Sequence, residues 1–158
     1  MSEGSSVRLR PAAPGDLSQV EKIECHSFSD PWPRSALLTE LQTDRLRRPL
    51  VAEIDGRVIG YLMAWRVLDQ LHVMNLAIHR ELRRQGVGTM LLQAALDLAL
   101  RESLREVTLE VRDSNRAARR FYAGHGFVPV GRRCAYYRDT QEDAIIMTWF
   151  NPKLTGQD

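Results

Sequence analysis

The sequence predicts a mixed α/β fold: about seven strands in one mostly antiparallel sheet, with about four helices packed around it. Three observations predict it. Period-two and period-3.6 hydrophobic segments intermix along the chain in the order β-α-α-β-β-β-α-β-α-β-β. Hairpin signals occur toward both ends, which demands antiparallel pairs. A helical stripe in the middle joins two strand-like segments, 71–78 and 107–112, and that connection predicts one right-handed parallel crossover.

Each element has a local cause. Val7-Arg8-Leu9-Arg10 alternates and precedes Pro11, a short strand. Asp16 suits the cap of a helix carrying Leu17, Val20, Ile23 and Phe28. Asp30-Pro31-Trp32-Pro33 breaks that helix, and Pro33 suits the first turn of a second one bearing Leu37, Leu38 and Leu41. Leu50 to Ile54, Asp55-Gly56, then Val58 to Trp65 read as a hairpin with a primed turn. Leu71 to Ile78 is a strand. From Gly86 to Arg101, Val87, Met90, Leu91, Ala94, Ala95 and Leu98 make one helical stripe. Val107 to Arg112 alternates as a strand, with Val107, Leu109 and Val111 on one face and Thr108, Glu110 and Arg112 on the other. Ser114-Asn115 caps a short helix with Ala118, Phe121 and Tyr122, ending at Gly124 or Gly126. Phe127 to Tyr137 and Ala144 to Trp149 are two closing strands.

The 158 residues fit a single domain, 1–158, with 1–6 and 151–158 as loose ends. The 44% hydrophobic and 27% charged residues exclude disorder along the whole chain. A net charge of +2 argues against a polycation built for nucleic acid. The two cysteines, Cys25 and Cys134, form no metal spacing and no disulfide framework, so no metal is expected and a reducing cytoplasm fits. The N-terminus has no apolar core of a secretory signal, and the apolar run Val58–Trp65 is too short to span a bilayer, so no membrane partner is expected.

The segment Arg83-Arg84-Gln85-Gly86-Val87-Gly88-Thr89 sits between a strand and the start of the best helix. Glycines let the backbone turn and approach a ligand closely. Outward-pointing N–H groups, the helix dipole and two arginines make an anion site there, suited to a phosphate or pyrophosphate. No Walker A string exists, and Leu91 stands where a dinucleotide fingerprint needs a small residue.

Arg83-x-x-Gly86-x-Gly88 resembles the pyrophosphate loop of the GCN5-related N-acetyltransferase (GNAT) superfamily. Asn75-Leu76-Ala77-Ile78 is similar to its central strand, and Asn115-Arg116-Ala117-Ala118 with Phe121-Tyr122 to its second motif. The likeness covers about residues 7–150 and implies a sheet whose central parallel pair is splayed. Leu109-Glu110-Val111-Arg112-x-Ser114-Asn115, Tyr136-Tyr137, Glu142 to Met147, and Phe28-x-x-Pro31-Trp32 resemble the RimI branch. That branch acetylates the N-terminal alanine of a small-subunit ribosomal protein.

The resemblance implies acetyl-CoA as co-substrate, a protein N-terminus as acceptor, and a cytoplasmic enzyme. It implies Glu110 as general base, acting directly or through water, and Tyr122 as the general acid for the leaving thiolate. It implies Leu76, Ala77 and Ile78 as strand contacts to acetyl-CoA, Arg83, Arg84, Gln85, Gly86, Val87, Gly88 and Thr89 as the pyrophosphate loop, and Asn115 on the CoA arm. Trp32, Tyr136, Tyr137 and Glu142, with Asp139 and Asp143 nearby, would line the acceptor side. Arg138 stands where the RimI string often has Pro, and Thr89 where a basic residue is frequent; both bear on substrate identity. His72 and His79 flank the central strand, and either is a second candidate for the base, with His125 behind them. Two other functions fit the same residues: acetylation of a lysine side chain or small-molecule amine, and a non-catalytic acyl-CoA-binding module.

Overall fold

In the computed structural model, which describes residues 6–155, the strands follow the order β1-β2-β3-β4-β5-β7-β6 in a seven-stranded sheet. They are β1 (Arg8–Pro11), β2 (Leu50–Ile54), β3 (Arg57–Val67), β4 (Gln70–Ile78), β5 (Glu106–Arg112), β6 (Val128–Arg133) and β7 (Ala144–Phe150). The helices are α1 (Leu17–Ser27), α2 (Arg34–Glu40), α3 (Val87–Arg101), α4 (Arg116–Gly124) and α5 (Pro152–Thr155). The mixed, mostly antiparallel sheet expected from the sequence is present, with one helix more than expected. No helix among the described residues is long and apolar enough to cross a membrane.

The chain forms two compact units. The first runs to Arg66 and adds Val73–Ala95; the second is Val67–His72 with Leu96 onward.

In the first unit, β1 pairs antiparallel with β2, and β2 with β3. The β2–β3 turn is built as the Asp55-Gly56 signal predicts: φ is 50° at Asp55 and 80° at Gly56, the left-handed pair of a primed turn. The core gathers Val20 and Ile23 of α1, Leu37 of α2, Leu41, and Val51, Val58, Tyr61, Met63 and Ala77 of the strands, with Phe28, Trp32 and Met74 packed against it. Each fully buried Val, Leu, Ile or Met side chain among them contributes about 1.5–3 kcal/mol when removed from water. Gly60 lets β4 come close, since a Cβ there would lie 3.2 Å from the Ala77 carbonyl oxygen.

Two local expectations change. Asp16 does not cap α1 with its side chain. It turns back, accepting from Ala13 N–H at 2.8 Å and from the Arg10 guanidinium at 2.8 and 2.9 Å. A nearby cation outbids the helix end. Pro33 precedes α2 as its cap residue and lies outside the first turn.

In the second unit, β7 lies between β5 and β6 and pairs antiparallel with both. Val107, Leu109 and Val111 are buried, as the alternation predicts. The edge strand β6 is exposed along its length and carries Pro129, Arg132 and Arg133, features that discourage edge-to-edge pairing. Where the sequence suggests a loose end from 151, Asn151 is 1% exposed and donates to the Leu104 carbonyl at 2.9 Å, and α5 follows. Residues 1–5 and 156–158 of the expected ends lie outside the described residues.

Candidate active site

Glu110 sits on β5, on the face opposite Val107, Leu109 and Val111. Its side chain is 12% exposed. Oε2 lies 2.6 Å from His72 Nε2, and Oε1 lies 3.3 Å from Arg133 Nε. Burial pushes its carboxyl up, but the His72 hydrogen bond and charge, with Arg133, outweigh that and hold it below the usual carboxylate value. An ionised carboxylate only accepts, so the shared proton is carried by His72 Nε2. His72, one of the two strand-flanking histidines, is therefore the partner of Glu110. His79 belongs to the first unit and faces Arg57 and Glu81.

Tyr122 lies on α4, its ring 5.3 Å from Phe121 and 5.7 Å from Phe127. Burial, then Tyr137, push its hydroxyl up to about 12, so it keeps its proton at neutral pH. Asn115 caps α4: its Oδ1 accepts from Ala118 N–H at 3.1 Å, and its Nδ2 group carries two further donors.

The aromatic and acidic hairpin before β7 is internally knit. Arg112 lies 4.0 Å over the Tyr137 ring and grips both Asp139 oxygens at 3.0 and 2.9 Å. Glu142 accepts from Ser114 N–H at 2.6 Å and lies 3.7 Å from Arg112. Those hydrogen bonds, Ser114 first, hold its carboxyl below the usual range. Asp143 accepts from Arg132 at 2.8 Å. The acidic charges that the sequence offers to a cationic acceptor are thus already matched by arginines. Tyr136 is 48% exposed and makes an edge contact with Tyr137 at 5.1 Å.

In the first unit, Leu76, Ala77 and Ile78 lie on β4, and residues 83–89 lead into α3. Arg84 and Gly86 both have positive φ, 63° and 84°, and this paired left-handed turn aims the chain into the helix. Met90 N–H donates to the Gly86 carbonyl at 3.1 Å, so the first turn of α3, Val87 to Thr89, precedes that helical bond. Arg83 is a clasp: it donates to the Ile78 carbonyl and to Ser27 Oγ, each at 3.1 Å. Arg84 and Gln85 are exposed. These donors fit a pyrophosphate.

Residues 17–127 match the family described as acetyltransferase (GNAT) family. The chain belongs to the GNAT family. It is an N-acetyltransferase of that type. Among GNAT relatives, a Bacillus subtilis (strain 168) protein, provisionally a ribosomal protein bS18-alanine N-acetyltransferase, is 39% identical over 132 residues, 84% of this chain and 87% of its own. The bS18-alanine N-acetyltransferase of Salmonella typhimurium is 33% identical over 134 residues, 84% of this chain and 89% of its own. The crystal structure of the ribosomal-protein-S18-alanine N-acetyltransferase from Escherichia coli superposes with TM-score 0.85 at 28% identity, covering 92% of this chain and 94% of that one.

A buried polar cluster in the first unit has no counterpart in the sequence reading. Glu24 of α1 is 1% exposed. It accepts from the Tyr61 hydroxyl, from Asn75 Nδ2 at 2.6 Å, and from Trp32 N–H at 2.9 Å. Its signal was present: Glu24 stands four residues after Val20, on the buried face of the helix. Through Glu24, the Trp32 segment and Asn75 of β4 are held to one carboxyl. Trp32 itself packs against the first unit's core.

Proposed function

We propose that this GNAT enzyme acetylates the N-terminal α-amino group of a protein, a small-subunit ribosomal protein beginning with alanine. The observation that carries the reading is the part-buried Glu110 carboxylate hydrogen-bonded to His72, on the strand that bears the RimI-like Leu109-Glu110-Val111-Arg112 string. The bS18-alanine N-acetyltransferase names of the relatives support the acceptor.

Acetyl-CoA, when bound, supplies an activated acetyl thioester. The N–H groups of 87–89 and exposed Arg84 would hold its pyrophosphate, and the Asn115 Nδ2 donors its pantetheine arm. A backbone N–H near Leu76–Ile78 would stabilise negative charge on the acyl oxygen. The attacking amine has a pKa of about 8, so part of it is neutral at pH 7 and a weak base suffices. Its proton goes to the Glu110–His72 pair, directly or through one water. The carbon–sulfur bond breaks, and Tyr122, still protonated at neutral pH, gives its proton to the departing thiolate.

The test is release of free CoA from acetyl-CoA with two peptides. One copies a ribosomal N-terminus with a free alanine; the other is N-terminally blocked and carries lysine. Turnover on the first alone is expected. Equal turnover on the blocked peptide would transfer the reading to lysine acetylation, and binding without release on either would point to a non-catalytic module. In Tyr122→Phe, kcat should fall about ten- to hundredfold with KM for the peptide nearly unchanged, since only the leaving step loses its proton donor.

A further inference from the structure

A pocket of about 310 Å³ opens in the first unit between α1, the β2–β3 turn and the segment after β4. Its charged lining is Lys22, Arg57 and Arg80 against the single carboxylate Glu81, with His26 and His79 beside them. No residue of the 83–89 loop lines it.

The hydrogen bonding around the pocket is one-sided. Gln19 Oε1 accepts from Val58 N–H at 2.9 Å, which holds the Gln19 amide, with its two N–H donors, at the pocket wall. His79 Nδ1 faces Glu81 N–H at 3.2 Å, and His79 Nε2 faces the Arg57 guanidinium at 3.2 Å. Both neighbours are donors. A neutral imidazole has one acceptor nitrogen, so in either tautomer one of these contacts sets donor against donor. With Nδ1 accepting from the backbone, the ring N–H at Nε2 meets the Arg57 guanidinium, donor against donor. A shared anionic oxygen accepting from both would resolve that opposition.

We infer that this pocket binds a compact oligophosphate anion, apart from the coenzyme loop. Guanidinium forks suit phosphate oxygens, and cations gathered on a concavity suit a short phosphate chain. A nucleic-acid duplex would call instead for a stripe of cations along a ridge. A pocket of this size lies at the lower end of small-ligand sites, about 300–1,000 Å³.

The experiment is calorimetric titration of sodium tripolyphosphate into the full chain saturated with CoA, which occupies the loop at 83–89. One-to-one binding is expected. The double variant Lys22→Gln, Arg57→Gln should weaken it at least tenfold, with melting temperature and acetyl transfer retained. Arg84→Gln should leave it unchanged. Absence of binding in the CoA-saturated protein would overturn the inference. So would an unchanged affinity in the double variant, a loss in Arg84→Gln, or preferential binding of an RNA duplex that displaces the tripolyphosphate. Should the double variant lose stability, Arg80→Gln alone, at an exposed position, is expected to weaken binding about threefold or more, and an unchanged affinity there would also overturn it.

Discussion

Glu110→Gln is expected to lower kcat/KM on an alanine-terminated peptide by about 10²- to 10⁴-fold, or about 3–5 kcal/mol of transition-state stabilisation. The amide keeps the shape of the carboxyl and loses its charge and its ability to take a proton. It also reverses the demand on His72, whose N–H then meets either an amide oxygen or an amide donor. Affinity for CoA, measured separately, should stay within about twofold, because the donors proposed for the pyrophosphate belong to residues 83–89. Wild-type rates should rise with pH as the acceptor amine, with a pKa of about 8, loses its proton. No limb from Glu110 should appear near neutrality. Its folded pKa is depressed, so its contribution is fully present above its unfolded value of about 4.3 and is lost as pH falls through the lower folded one. Activity within about threefold of wild type in Glu110→Gln would remove it from the chemistry and leave His72 as the candidate base.

The second large effect is on stability. Glu24→Ala strips the acceptor from the Tyr61 hydroxyl, which is 0% exposed, and from the Asn75 amide and Trp32 N–H. An unsatisfied buried donor costs about 1–3 kcal/mol, so the loss should total roughly 3 kcal/mol. At about 2–4 °C per kcal/mol for a protein of this size, the melting temperature should drop by about 6–12 °C. Tyr61→Phe in the same background supplies the decisive comparison. It removes the stranded hydroxyl and should recover a good part of the loss. Equal melting temperatures for wild type and Glu24→Ala would mean that water or a rearranged partner satisfies those donors.

The contrast between Glu110 and Glu24 shows what a sequence discloses. Val107, Leu109 and Val111 alternate, so the face carrying Glu110 is legible from period alone. The Asp55-Gly56 turn and the α3 stripe are legible for the same reason: neighbours within a few residues decide them. His72 lies 38 residues from Glu110, and only the folded sheet brings the two to 2.6 Å. The spacing from Val20 puts Glu24 on the buried face of α1, but its partners Tyr61 and Asn75 lie 37 and 51 residues away and only the fold brings them to it. The hairpin at 136–143 misleads in another way. Its acids are visible in the sequence, whereas the arginines that neutralise them come from β5 and β6. Asp16 likewise answers to Arg10 before it answers to the helix it precedes.

The position of β7 between β5 and β6 has a consequence for how the protein is born. β5 and β6 both take β7 as their hydrogen-bonding neighbour in the second unit. Neither pairing can form until residues 144–150 have left the ribosome, and the strand bearing Glu110 must wait for them. At synthesis rates of about 5–20 residues per second, β5 stays without that partner for roughly two seconds or more after it is made. During that interval it is an apolar, alternating strand with an open edge, the kind of segment that chaperones engage and neighbouring chains can capture. The sheet around Glu110 is therefore completed late, when β7 is placed between two strands that were made before it.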